Sequence, residues 1–216
     1  MNILVGVVGK PRAGKDSLAD FLEKEHGFYH YAFADHLKWL MNKYFDIPAE
    51  LLWGAKTQET RELLHNLGRL LTDLNPDILI NSVTGKIKRD YTKAVKEGKE
   101  YRGVISDVRS ERELKLFDRQ SSTFLIPEAI LASGVSLKNA FDKILVVKVE
   151  RDLETILKEE PGLRKNINNP IETLTDTHSE WDYFIENNSS LDNLRQSVSL
   201  MVSELTGESL HDNKKG

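Results

Sequence analysis

An α/β fold, a five-stranded parallel sheet flanked by helices, is what this sequence predicts, and three observations predict it. Short β-branched apolar runs alternate with longer amphipathic stretches, the pattern of a parallel sheet wrapped by helices. The first apolar run passes through a glycine-containing turn straight into an amphipathic stretch. The 216 residues, 39% hydrophobic and 30% charged, suffice to bury a core in one domain spanning 1–216.

Taken in order, Ile3 to Val8 reads as a buried strand. Lys15 to His26 reads as a helix with Leu18, Phe21 and Leu22 on one face, closed by Gly27. Tyr29 to Phe33 is the second strand. The stretch 34–100 is too long for a simple crossover and reads as a helical insertion, with helices over Asp35 to Tyr44, Thr60 to Leu74 and Pro76 to Val95. Gly103 to Ser106, Ile144 to Val149 and Tyr183 to Glu186 complete five strands, and a last helix starts near Ser190. A second insertion, 151–181, is charged and broken by Pro161, Gly162 and Pro170. Phe124 to Ile126, inside Ser121 to Asn139, reads as an extra strand or a packed loop.

Charge and composition remove several function classes. With 30 basic and 34 acidic residues the formal net charge is -4, which offers no electrostatic footprint for nucleic acid. The absence of cysteine excludes disulfides, thiolate metal sites and a cysteine nucleophile. The six histidines show no zinc-type spacing. No stretch approaches a membrane span, and the apolar start does not read as a signal peptide, so a cytoplasmic location is expected.

The chemistry concentrates in "GVVGKPRAGKDSLADFL". Gly9 to Lys15 spell Gly-x-x-x-x-Gly-Lys, nearly the phosphate-binding loop of nucleotide enzymes. Gly9, Arg12, Ala13 and Gly14 would turn backbone amides around phosphate oxygens; Lys15 would neutralise the β and γ phosphates, aided by the positive end of the helix. The position after the lysine ordinarily carries Ser or Thr to hold Mg²⁺; here it is Asp16, followed by Ser17. Asp16 either reaches the metal through bound water or caps the helix. Asp107, directly after a short strand in "GVISDVRSERE", sits where a metal-holding aspartate would, although turn and cap roles are common there. Arg109 either reaches a phosphate or pairs with Glu113 one helical turn on.

The stretches "GKPRAGKDSLADFL", "YAFADHLK", "WGAKTQETRELLHNLG", "GVISDVRSERE" and "HSEWDYFIENNSSLDNL", in that order over most of the chain, resemble the phage-type deoxynucleoside monophosphate kinases. These belong to the P-loop nucleoside monophosphate kinase group. The Trp53 to Gly68 element is the most specific of these stretches, and Gly-Lys-Asp-Ser is similar to the loop such kinases carry. The resemblance implies a P-loop kinase fold with a monophosphate-binding insertion over 34–100 and a lid over 151–181. It implies ATP and Mg²⁺ as cofactors, a deoxynucleoside monophosphate as acceptor and the host cytoplasm of a phage as setting, and it allows a homodimer. Metal contacts would fall to Asp16, Ser17 and Asp107. The acceptor would be met by Asp35, Lys38, Trp53, Lys56, Thr57, Arg61 and Arg109, with Arg61 gripping its phosphate in bidentate fashion. Trp53 would stack on a base or, the reading favoured by its size, fill the core. Lid cations Arg151 and Arg164, with Lys165, would offset transition-state charge, and Asn187 would bring backbone groups near adenine. Lys10, Pro11 and Arg12 depart from the pattern by adding charge and stiffness to the loop. Two other readings stay open: a dephospho-coenzyme A kinase-like enzyme, whose last strand and helix would look similar, and an ATP-binding module without turnover.

Overall fold

The computed structural model describes residues 1–54, 57–118, 141–159 and 174–208. The expectations for Lys56, Arg164, Lys165 and the Ser121 to Asn139 stretch lie outside them. Five parallel strands form one sheet: β1 (Ile3–Val8), β2 (Tyr29–Tyr31), β3 (Arg102–Ile105), β4 (Lys143–Glu150) and β5 (Tyr183–Glu186), in the spatial order β2-β3-β1-β4-β5. β1 is central. Ile3 pairs with Arg102 on one side and Lys143 on the other.

Burial on both faces follows from the two-residue period of β1. Ile3, Val5 and Val7 face a cluster with Leu18, Ala19 and Leu22 of α1 (Lys15–His26) and Leu194, Val198, Met201 and Val202 of α9 (Leu191–Thr206). Leu4 and Val8 face the opposite cluster, built on Ile80, Val83, Ile87 and Tyr91 of α5 (Ile78–Lys96) and on Leu116 and Phe117. Between them Gly6 has no side chain because the Phe117 ring lies where its Cβ would be. The two faces therefore carry two separate halves of the core.

The 34–100 stretch is helical as expected, with α2 (Ala34–Phe45), α4 (Gln58–Leu74) and α5, plus a short α3 (Ala49–Trp53) that the sequence pattern did not announce. These helices enclose a small third core of Leu37, Met41, Leu52 and Leu64. Leu52, not Trp53, is the fully buried member of α3; Trp53 is 48% exposed, which corrects the core-packing expectation. In a five-residue helix only one side can face the core, and that side ends on Leu52. The remaining described helices are α6 (Glu111–Leu114), α7 (Leu153–Glu159) and α8 (Leu174–Thr177). Among the described residues no helix is long and apolar enough to cross a membrane.

Candidate active site

Because all five strands are parallel, their carboxyl ends share one edge, and four of the residues singled out in the sequence fall just beyond them. Gly9 follows β1, Asp107 lies two residues past β3, Arg151 follows β4 and Asn187 follows β5. The chain runs from β1 toward β2 and β3 on one side and later to β4 and β5 on the other. That reversal makes the end of β1 a topological switch point, where open α/β sheets bind ligands.

The loop from Gly9 to Gly14 is folded tightly around Lys15. The Lys15 Nζ donates to the carbonyls of Gly9 (2.6 Å) and Lys10 (2.9 Å), and the residue is only 8% exposed. Ala13 N–H closes a turn onto the Lys10 carbonyl at 3.1 Å. Gly9 is crowded by the Val149 carbonyl, so a Cβ there has no room. Gly14, the N-cap of α1, sits at φ 108°, a left-handed conformation that side chains resist, and Asn187 fills the space where its Cβ would be. Arg12 also takes a positive φ of 64°. Asp16 stands exposed in the first turn of α1, where a carboxylate is favoured by the helix dipole, and Ser17 beside it is half-buried. Leu18 N–H makes the first intrahelical bond, to the Gly14 carbonyl, so the donors of the first turn stand ahead of it. A tight loop, an inward lysine and a helix amino end together suit a polyphosphate.

Asp107 is occupied in a way its sequence position did not reveal. Its Oδ1 accepts the Phe33 N–H (2.7 Å) and its Oδ2 the Ala34 N–H (3.0 Å), so it caps α2 from 73 and 74 residues away. The N-cap residue of α2 is Phe33, which has no side-chain acceptor of its own; Asp107 supplies both acceptors and the negative charge. Next to it, α6 begins with a reciprocal cap between Ser110 and Glu113. The Glu113 Oε2 accepts N–H groups from Arg109 (2.7 Å) and Ser110 (3.0 Å). Burial, then the Asp107 carboxylate, push the Glu113 carboxyl up to about 7 despite those two bonds. Arg109 itself is exposed.

On α2, Lys38 is buried and ion-paired with Asp35 at 2.7 Å, and its ammonium lies 5.9 Å from the centre of the Trp53 ring. Thr57 is the N-cap of α4; its hydroxyl accepts the Thr60 N–H at 3.2 Å, which gives it a structural task that sequence reading had not assigned. Arg61, in the first turn of that helix, is half-buried. On the far side of the loop, Arg151 makes a two-pronged pair with Glu159 of α7 (2.9 and 2.6 Å). Lys10 is ion-paired with Asp176 of α8 at 3.1 Å, which ties the loop to the segment after 173. The Asn187 side chain donates to the Ala13 carbonyl at 2.8 Å.

Away from this edge, Asp20, Glu23 and His30 bring ligand-type atoms within 4.8 Å of one another, a trio invisible in the spacing of the histidines. Asp20 and Glu23 are about half exposed, Lys24 already neutralises Asp20 at 3.0 Å, and the His30 Nε2 is engaged by Ser106 at 2.8 Å. That arrangement is accounted for by surface ion pairing.

No family model and no curated protein matches the chain. Among solved structures it is similar to a dephospho-CoA kinase from Campylobacter jejuni, at 13% identity over 96% of this chain and 98% of that one, TM-score 0.48. It is also similar to a sugar kinase from Janibacter sp. HTCC2649, at 13% identity over 94% and 95%, TM-score 0.42. A third is the APS kinase of Mycobacterium tuberculosis, at 12% identity over 94% and 97%, TM-score 0.36. Likeness at this level names no substrate, and the functional reading rests on the geometry of the sheet edge.

Proposed function

We propose that the chain is a phosphotransferase of the P-loop kinase type that moves the γ-phosphoryl group of ATP to a deoxynucleoside 5′-monophosphate. The observation that carries the reading is the Gly9 to Lys15 loop at the switch point, closed by glycines that exclude side chains and centred on a buried lysine. In this reading the loop amides and the amino end of α1 hold the ATP phosphates, and Lys15 exchanges backbone carbonyls for phosphate oxygens. Asp16 and Ser17 offer hard oxygen donors to Mg²⁺, which when bound neutralises phosphate charge. Asp107 adds a carboxylate nearby while holding α2 in place.

The acceptor lies against α2 and α4, where Lys38 and Arg61 grip its phosphate, Asp35 orients Lys38 and half-exposed Trp53 offers a ring face to the base. The resemblance adds Lys56 and Arg109 to this set of acceptor contacts. An acceptor phosphate oxygen then attacks the γ phosphorus in line as the bond to the β–γ bridging oxygen breaks, and ADP leaves. Arg151, with Arg164, offsets the charge on the transferred oxygens once it gives up Glu159.

The test is ADP release, coupled to an optical readout, against a panel of deoxynucleoside monophosphates and dephospho-coenzyme A. Acceptor-dependent ADP with a deoxynucleotide is the expected result. Dephospho-coenzyme A as sole acceptor would move the substrate assignment. Tight ATP binding without any acceptor-dependent ADP would replace the enzyme by a binding module.

A further inference from the structure

We infer that Asn187 is a positioning residue of the phosphate loop, acting through the Ala13–Gly14 peptide rather than on the nucleotide base; this rests on the phosphotransferase reading above. Asn187 follows β5, and its own N–H is pinned to the Glu150 carbonyl at the end of β4 (2.8 Å). From that fixed start its Nδ2 reaches across to the loop after β1 and donates to the Ala13 carbonyl at 2.8 Å. The side chain is half-buried and occupies the volume that a Cβ on Gly14 would need. Three strand ends are thereby tied at one residue.

The consequence comes from peptide planarity. In a planar trans unit the carbonyl and the following N–H point in opposite directions. Holding the Ala13 carbonyl toward Asn187 therefore holds the Gly14 N–H away from Asn187. Gly14 at φ 108° then hands the chain to α1, whose first-turn donors follow in sequence. A phosphate-binding loop depends on several amides converging on one anion, and a carbonyl flipped inward would repel it. Asn187 prevents that flip. The glycine at 14 and the asparagine at 187 are one device: the first leaves the space, the second uses it to fix the orientation of the loop.

The experiment measures calorimetric binding of inorganic tripolyphosphate and of ADP to wild type, Asn187→Asp, Asn187→Ala and Lys15→Ala, with thermal melting of each. Asn187→Asp replaces the donor by an acceptor facing the Ala13 carbonyl, and should weaken both ligands by about tenfold or more, the loss of one well-placed hydrogen bond plus repulsion. Asn187→Ala should weaken both by roughly threefold to tenfold. Both should melt close to wild type, because the contact lies at a half-buried edge; if the aspartate variant does not fold, the alanine variant gives the reading. Wild-type affinity in folded Asn187→Ala or Asn187→Asp, beside loss in Lys15→Ala, would overturn the inference and leave the function reading standing. A loss seen with ADP but not with tripolyphosphate would also overturn it, by placing Asn187 at the base. Failure of the wild type to bind either ligand would remove the phosphotransferase reading itself.

Discussion

The Gly9–Gly14 loop and the α2–α4 region flank the same sheet edge and are held in opposite ways. The loop is fixed by backbone geometry and by contacts from three strands: β1 leads into it, the Val149 carbonyl of β4 crowds Gly9, and Asn187 beyond β5 holds Ala13. The α2–α4 region leans instead on a third core of four buried residues, Leu37, Met41, Leu52 and Leu64. It leaves Trp39, Tyr44, Phe45, Leu51 and Trp53 largely exposed. Asp107, beyond β3, ties the start of α2 to the sheet through both carboxylate oxygens. On the proposed function, a donor common to many reactions suits the preformed cradle, whereas an acceptor that must be selected suits the surface whose packing is lighter and whose geometry a few side chains decide.

The largest effect that would break this contrast is on the loop. Lys15→Ala should reduce phosphoryl transfer by roughly 10³-fold while melting like the wild type, since its ammonium serves the loop and not the apolar core. Near-normal turnover would show that the rigid side is not the catalytic one.

Leu52→Ala should act on the other side alone. Removing a fully buried leucine costs about 3 kcal/mol. Hydrogen exchange should show that loss in α2, α3 and α4 and leave β1 and β4 protected; uniform destabilisation would mean that the two regions are not energetically separate.

Asp107→Asn sharpens the comparison further, because the amide keeps one acceptor but loses the charge and one capping bond at α2. The expected result is an acceptor KM raised several-fold to about tenfold with the KM for ATP little changed. A shift confined to Mg²⁺ dependence would assign Asp107 to the metal instead.

The last effect concerns Glu113. Its carboxyl is raised from 4.5 to about 7, so the folded state binds more protons than the unfolded one between those values. The stabilising contribution is complete below pH 4.5 and is lost as pH rises toward 7. Glu113→Gln keeps an acceptor for the Arg109 and Ser110 amides but carries no charge. Its stability relative to wild type should therefore rise between pH 5 and 7.5 by roughly 2–3 kcal/mol, read from denaturant melts. A pH-independent difference would sink that account.

What could be read in the sequence was local. Ile3 to Val8, the glycines at 9 and 14, Lys15 and the helix closing at Gly27 follow from chemistry within a few residues, and the structure has them where expected. A cap role for Asp107 was among the readings its position allowed, but the helix it caps was not legible, because its partners are amides of Phe33 and Ala34, 74 and 73 residues away. Helix α3 was missed because five residues between Pro48 and Gly54 are too few to show a period. Trp53 was misjudged because size alone does not say which of two adjacent residues faces inward. Its neighbour Leu52 does.

The central place of β1 also bears on how the chain is made. Its strand partners, Arg102 to Ile105 and Lys143 to Lys148, are encoded roughly 100 and 140 positions downstream, so a ribosome adding about 5–20 residues per second leaves Ile3 to Val8 without neighbours for roughly 5–30 s. During that interval the most apolar hexapeptide of the sheet is exposed to solvent. The β-branched residues that later make it the middle of the molecule make it, while synthesis continues, the segment most in need of shelter from other chains.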